Sequence, residues 1–170
     1  MFSFLIFIFA TMKEEKKLQY ELLCAQIESL ITGETNEMGV LSNVSAVLHD
    51  AFPERFFWVG FYLVKDKELH LGPFQGSVAC FHIKKGCGVC GTAWAKVQTI
   101  IVPDVEKFSG HIACSSQSRS EIVVPLLDNN GNVYGVIDID SRELDAFDVT
   151  DRVYLEKIAE KITKILCSSK

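Results

Sequence analysis

Apolar residues recur at three- and four-residue spacing early in the chain and at alternate positions in its middle. Between Met12 and Ile31 they fall at Leu18, Leu22, Leu23, Ala25, Ile27, Leu30 and Ile31. Leu23, Ile27, Leu30 and Ile31 mark one face of an amphipathic helix, which Gly33 breaks. Cys24 lies on or near that face and reads as a buried thiol. A second helix is predicted from about Glu37 to Ala51, faced by Met38, Leu41, Val44, Ala46, Val47 and Leu48. Asn36 is its expected cap, and Phe52-Pro53 its stop. The period then changes to two. Phe57, Val59, Phe61 and Leu63 alternate with Trp58, Gly60, Tyr62 and Val64. Both sets are apolar or aromatic, so this strand is predicted to be covered on both faces. Trp58 and Tyr62 share a face, as pocket lining or as core. A turn at Asp66-Lys67 leads into a strand from Glu68 to Leu71.

Val78 to Ile83 reads as a strand with Cys80 and His82 on one face. The segment KKGCGVCG is a turn opening a helix from about Val89 to Val97, and Thr99 to Val102 is a short strand. Residues 103 to 120 have no period and read as a loop, of the length that usually carries function. Glu121 to Leu127 and Val133 to Asp140 form a hairpin through Asn130-Gly131. A last helix is predicted from about Thr150 to Leu166, with Val153, Leu155, Ile158, Ala159, Ile162 and Ile165 on its apolar face and Cys167 in its frayed end. Hairpins dominate, so the fold class is α+β, a mainly antiparallel sheet with helices packed on it.

The 170 residues suit one domain with a real core, and 48% hydrophobic with 23% charged content is ordinary for a soluble globular protein. A net charge of −5 argues against nucleic acid or an anionic membrane as the main partner. The opening run MFSFLIFIFA is too short to span a bilayer, which takes about 20 residues. It also lacks the basic start and cleavage site of a signal peptide. Residues 1–11 are therefore read as an N-terminal extension outside the fold, from a misplaced start or a weak targeting element. A single domain is expected over 12–168, in a cytoplasmic protein. The first and last helices are candidates to pair in a homodimer.

Six cysteines can signal a disulfide framework, but that belongs to small secreted chains with poor cores. Here reactive, metal-binding or simply buried thiols are expected. Cys80, Cys87, Cys90 and Cys114 lie between Gly72 and Pro125, together with His82, His111 and Glu121. Cys87-Gly88-Val89-Cys90 is a CxxC, and three readings compete. One is a thioredoxin-like dithiol at a helix N-terminus, although that fold places its motif in an early βαβ unit. Another is zinc held by Cys80, Cys87, Cys90 and Cys114 or a histidine, although no second CxxC accompanies the first. The third is that only some of these thiols are catalytic. Asp138 and Asp140 lie two apart on one strand face, where paired acids are costly unless solvated or functional. The bland reading is an exposed strand end.

The segments GPFQGSVAC, GCGVCGTAW, FSGHIACSSQSRSEIVVPL and GVIDIDS, in this order and spacing, resemble the free methionine-(R)-sulfoxide reductases, a family of GAF-domain enzymes. The resemblance spans roughly residues 12 to 165. It implies a GAF-like six-stranded antiparallel sheet flanked by helices, a pocket under the long loop, and reduction of the free amino acid with thioredoxin as reductant. It implies no metal and no organic cofactor. The family's cysteines fall on Cys80, Cys90 and Cys114, its pocket acids on Glu121, Asp138 and Asp140, and its aromatic wall on Trp58 and Tyr62. Cys87 and Ser115 depart from the family pattern.

A sulfoxide oxygen leaves poorly, so it must be protonated as a thiolate attacks sulfur. On this reading Cys114 is the nucleophile, and Glu121 or Asp140 the acid. Asp138, with Glu121, faces the substrate ammonium, and Trp58 and Tyr62 hold the methyl-thio end. A sulfenic acid on Cys114 then closes to a disulfide. Cys80 is the favoured resolver. Cys90, expected as a stabilised thiolate at a helix start, is the alternative resolver or even the attacking thiol. Two rivals stand beside the enzyme: a GAF sensor binding a small molecule without turnover, and a zinc-stapled interaction domain.

Overall fold

The computed structural model describes residues 2–112 and 114–167, with side chains from Lys13 onward. In chain order the elements are α1 (Phe2–Ile31), α2 (Glu37–Ala51), β1 (Trp58–Lys65), β2 (Glu68–Gln75), β3 (His82–Lys84), α3 (Gly88–Lys96), β4 (Ile100–Val102), β5 (Ser120–Leu127), β6 (Val133–Ser141) and α4 (Val149–Leu166). A single 3₁₀ turn, Val105–Lys107, interrupts the long loop between β4 and β5. The strands form one antiparallel sheet in the order β3-β2-β1-β6-β5-β4.

The alternation along β1, β5 and β6 divides the core. Val59, Phe61, Ile122, Val124, Leu126, Ile137 and Ile139 point to the face covered by α1, α2 and α4. Trp58, Tyr62, Val123 and Val136 point the other way, toward Val89, Ala93 and Trp94 of α3. The first face is sealed. The second is only partly covered, because α3 is short and the loop after β4 completes its roof.

Local chemistry explains the ends of the elements. Asn36 caps α2 by accepting from the Gly39 N–H at 3.1 Å. Asp66 and Lys67 both take positive φ, 50° and 67°, as a tight two-residue hairpin turn requires. The β5–β6 turn is held by the Asp128 carboxylate, which accepts from the Asn130 and Asn132 N–H groups at 2.8 Å each. Asp148 and Asp151 form a reciprocal cap on α4.

Asp151 does more than cap. It is fully buried, accepts from the Tyr20 hydroxyl at 2.7 Å, and pairs with Lys16 at 2.5 Å and Arg55 at 2.9 Å. These contacts pin α1, α4 and the segment before β1 together. Tyr20 also stacks on Tyr154 of α4, with ring centroids 5.2 Å apart. α1 and α4 thus pack on each other within the chain.

Several expectations are corrected. The strand predicted from Val78 to Ile83 shrinks to His82–Lys84, and Val78 and Phe81 stand out in solvent at 85% and 74% exposure. Alternation was misleading there, because residues 76–80 rise over the open face of the sheet and pairing with β2 resumes only at Phe81, whose carbonyl accepts from the Leu71 N–H at 3.0 Å. Leu30 and Val153 are exposed rather than facial, and Tyr154 takes the inward place on α4. Cys167 is buried at the helix end, not frayed. α1 is helical from Phe2, and among its described side chains the first core member is Tyr20. No helix among the described residues is long and apolar enough to cross a membrane.

Candidate active site

Strand register builds the floor of the site. Asp140 of β6 lies between Trp58 of β1 and Glu121 of β5, so these three form one row. The next row is Gly60, Asp138 and Val123. Side chains in facing positions stand on the same side of a sheet, and all of these face α3 and the loop.

Gly60 leaves space that the Trp58 ring occupies. A Cβ at Gly60 would come within 2.4 Å of that ring. Gly76, at φ +128°, lets the backbone close over the same indole, which donates to the Ser77 carbonyl at 2.9 Å. Trp58 stacks on Phe74 and Tyr62 at 5.3 and 6.1 Å between centroids, so it is a fixed wall.

α3 brings Cys90 onto this floor, with its sulfur 4.0 Å from Glu121 Oε1. The helix can lie so close because Gly91 has no side chain; a Cβ there would sit 2.3 Å from the Lys84 carbonyl oxygen. The loop supplies the roof. Cys114 is joined to Cys80 in a disulfide, Cα atoms 5.6 Å apart, which ties the loop to the segment before β3. Ser118 donates a hydrogen bond to Asp140 Oδ1. Floor, wall and roof surround a small cavity of about 30 Å³. All eight predicted site residues line it: Trp58, Tyr62, Cys90, Cys114, Glu121, Asp138 and Asp140 directly, and Cys80 through its bond to Cys114.

Electrostatics follow from crowding three carboxyls into a buried floor. Burial, then the charges of Asp138 and Asp140, push Glu121 well above the ordinary carboxylate range. Burial and Asp140 push Asp138 the same way. Asp140 is raised by burial to about 6, and the Ser118 hydrogen bond restrains the rise. Cys90 is pushed well up by burial and then by Asp138 and Glu121. That corrects the expectation of a stabilised Cys90 thiolate: any benefit from the helix N-terminus is outweighed by desolvation and neighbouring acids. One oxygen of Asp138, Oδ1, is buried with no hydrogen-bond partner among the described residues.

The metal and dithiol readings fare differently. Cys80 and Cys114 are bonded to each other, and Cys87 is exposed at the N-cap of α3, so the four-cysteine zinc set is not assembled. Donor atoms of Cys90, Glu121 and Asp138 do lie within 4.8 Å of one another. The CxxC opens a helix as a thioredoxin motif does, but among antiparallel strands.

A GAF domain is matched over residues 39–166. The chain is 58% identical to GAF domain-containing protein A of Dictyostelium discoideum, covering 86% of this chain and 91% of that one. It is 46% identical to the free methionine-R-sulfoxide reductase of Saccharomyces cerevisiae, over 85% of this chain and 83% of the relative. The structure of the free methionine-R-sulfoxide reductase of Neisseria meningitidis in complex with its substrate superimposes with a TM-score of 0.84 at 50% identity, covering 88% and 89% of the two chains. This chain belongs to the free methionine-R-sulfoxide reductase family of GAF domains. The six-stranded sheet and the helices on its faces are that family's fold.

Two further lining residues bear on the charge of this family site: Ser118, which the sequence reading did not single out, and His111, which it noted only as a neighbour of the cysteines. Ser118 restrains the burial-driven rise in the pKa of Asp140. His111 has a buried Nδ1 without a partner among the described residues, and burial lowers its pKa, favouring the neutral imidazole. Both lie in FSGHIACSSQS, which has no period to orient a side chain. Only proximity to Cys114 could have marked them.

Proposed function

We propose that this protein reduces free L-methionine-(R)-sulfoxide to L-methionine, using Cys114 and Cys80 as the electron source and thioredoxin to restore them. The observation that carries the reading is the Cys80–Cys114 disulfide roofing a cavity floored by Glu121, Asp138 and Asp140. A substrate-bound relative of 50% identity adopts the same fold.

The steps balance as follows. The Cys114 thiolate attacks and takes the oxygen as Glu121 delivers a proton to it. Methionine leaves with its sulfur reduced by two electrons, and Cys114 becomes a sulfenic acid. The Cys80 thiolate attacks the Cys114 sulfur, the S–O bond breaks, and water departs with a second proton. Thioredoxin then gives two electrons and two protons to the disulfide. Glu121 suits proton delivery because burial, then the charges of Asp138 and Asp140, push its carboxyl well above the ordinary range and favour the protonated form. An arriving ammonium lowers the pKa of Asp138 and draws it into the ionised form, so that Asp138 pairs with the amino group. Trp58 and Tyr62 offer the methyl-thio end an apolar wall.

The division into an extension at 1–11 and a catalytic domain at 12–168 belongs to the same proposal. It is supported by a family match that begins at residue 39 and reaches residue 166.

The test is NADPH oxidation in the presence of thioredoxin and thioredoxin reductase, offered the free R and S epimers separately. Turnover of the R epimer, lost by at least a thousandfold in Cys114→Ser, is the expected result. No turnover of either epimer, with the thiols shown to be reduced beforehand, overturns the enzyme reading in favour of a ligand-binding GAF domain.

A further inference from the structure

The far edge of the sheet carries a second cluster of chemistry, on strands the thiol site does not use. β2 and β3 pair so that His70 faces His82 and Glu68 faces Lys84. Leu69 and Ile83 are buried against the α3 side, at 0% and 5% exposure. Because a strand alternates faces, that burial turns Glu68, His70 and His82 together to the opposite side. Their donor atoms all lie within 4.8 Å of one another. The two imidazoles meet edge to face at 4.5 Å between centroids. Among the described residues, no hydrogen bond or ion pair engages these three side chains.

We propose that Glu68, His70 and His82 form a binding site for a divalent transition-metal ion, separate from the thiol cavity. Two imidazoles and one carboxylate are the borderline donor set that zinc, nickel and copper prefer over magnesium or calcium. Zinc–nitrogen bonds of about 2.0–2.1 Å place neighbouring ligand atoms roughly 3.3 Å apart. From separations of no more than 4.8 Å, the cluster must therefore contract by at most about 1.5 Å. Histidine and glutamate side chains that are at least partly exposed can do this by rotation, with the strand register unchanged. Lys84 stands opposite Glu68, so the carboxylate contributes less than the imidazoles. With three protein ligands, water completes the coordination. The ion cross-links β3, an edge strand of only three residues, to β2.

The test uses the whole oxidised chain, with the Cys80–Cys114 disulfide intact and exposed thiols capped by iodoacetamide so that free cysteine cannot take the metal. Zinc is titrated calorimetrically. One ion per chain with micromolar affinity is expected, weakened at least about tenfold by His70→Ala or His82→Ala and less by Glu68→Gln. Histidine ring resonances in the unsubstituted protein supply a readout free of folding effects. Those of His70 and His82 shift with zinc, while those of His49 and His111 do not. Unchanged affinity in the His70→Ala/His82→Ala double variant overturns the site. So do unmoved His70 and His82 resonances at millimolar zinc.

Discussion

At the scale of single residues, the site works by setting like groups apart. Glu121, Asp138 and Asp140 share one floor, yet among the described residues only Asp140 has a hydroxyl donor, Ser118, holding its rise to about 6. It is therefore the carboxyl that ionises first as pH increases. Its folded pKa lies above its ordinary value of 3.8, so the folded state binds this proton more tightly. Its contribution to stability is full below pH ~3.8 and is lost as pH rises through about 6. Asparagine at 140 never ionises. The stability of Asp140→Asn relative to the parent should thus grow between pH 4.5 and 7.5, by up to about 2 kcal/mol. Urea unfolding at both pH values checks this, and a constant or shrinking gap would contradict it. The thiols divide in the same way. Cys90 is held as a neutral thiol by burial and two acids, whereas Cys80 is already bonded to Cys114. In Cys80→Ser, one equivalent of methionine should form per chain and a sulfenic acid should persist on Cys114, trapped by dimedone. Mass spectrometry showing a Cys90–Cys114 disulfide instead would make Cys90 the resolver.

At the scale of elements, Asp151 holds together what the site rests on. It joins α1 through Lys16 and Tyr20, and the segment before β1 through Arg55. Removing one member of a buried ionic cluster leaves the others uncompensated, at about 3–5 kcal/mol. Asp151→Ala should lose that much in chemical denaturation, and a loss below about 1 kcal/mol would mean the cluster is only an accessory. The sequence offered Asp151 merely as a residue in the first turn of a helix, since Lys16, Tyr20 and Arg55 are more than ninety positions away. Helices with a clear apolar stripe and hairpins with an Asp-Lys or Asn-Gly turn were legible, because local chemistry sets them. The acids on β5 and β6 were legible too, because a two-residue period places them on one face. Residues 76–80 were not, since their apolar alternation serves a crossing over the sheet. Ser118 and His111 were not, since a loop without period leaves orientation to tertiary contacts. Cys90 was placed correctly but given the wrong charge, because a helix start is visible in sequence and two carboxyls packed against it are not.

At the scale of the whole molecule, the sheet separates support from chemistry. Three helices seal one face; the other is left for a short helix and a loop tied down by the disulfide. The consequence is an enclosed cavity whose acids lie at the bottom, Glu121 and Asp138 being only 6% and 7% exposed. A substrate must deliver a positive charge there to offset the loss of water around an ionised carboxylate. Free methionine sulfoxide carries that charge on its amino group; a methionine within a peptide carries an uncharged amide and a chain leaving in both directions. N-acetyl-methionine-(R)-sulfoxide separates the two effects, because acetylation removes the charge while adding few atoms. Its kcat/KM is expected to fall by at least about a thousandfold, the scale on which sites with unpaired buried polar groups reject an analogue. The methyl ester, which keeps the ammonium and loses the carboxylate, should retain more activity than the N-acetyl compound. If the acetylated and free substrates turn over equally, the floor acids do not read the ammonium. Enclosure alone must then account for any discrimination against peptides, and Asp138 loses its assigned role while the thiol chemistry of Cys114 and Cys80 stands.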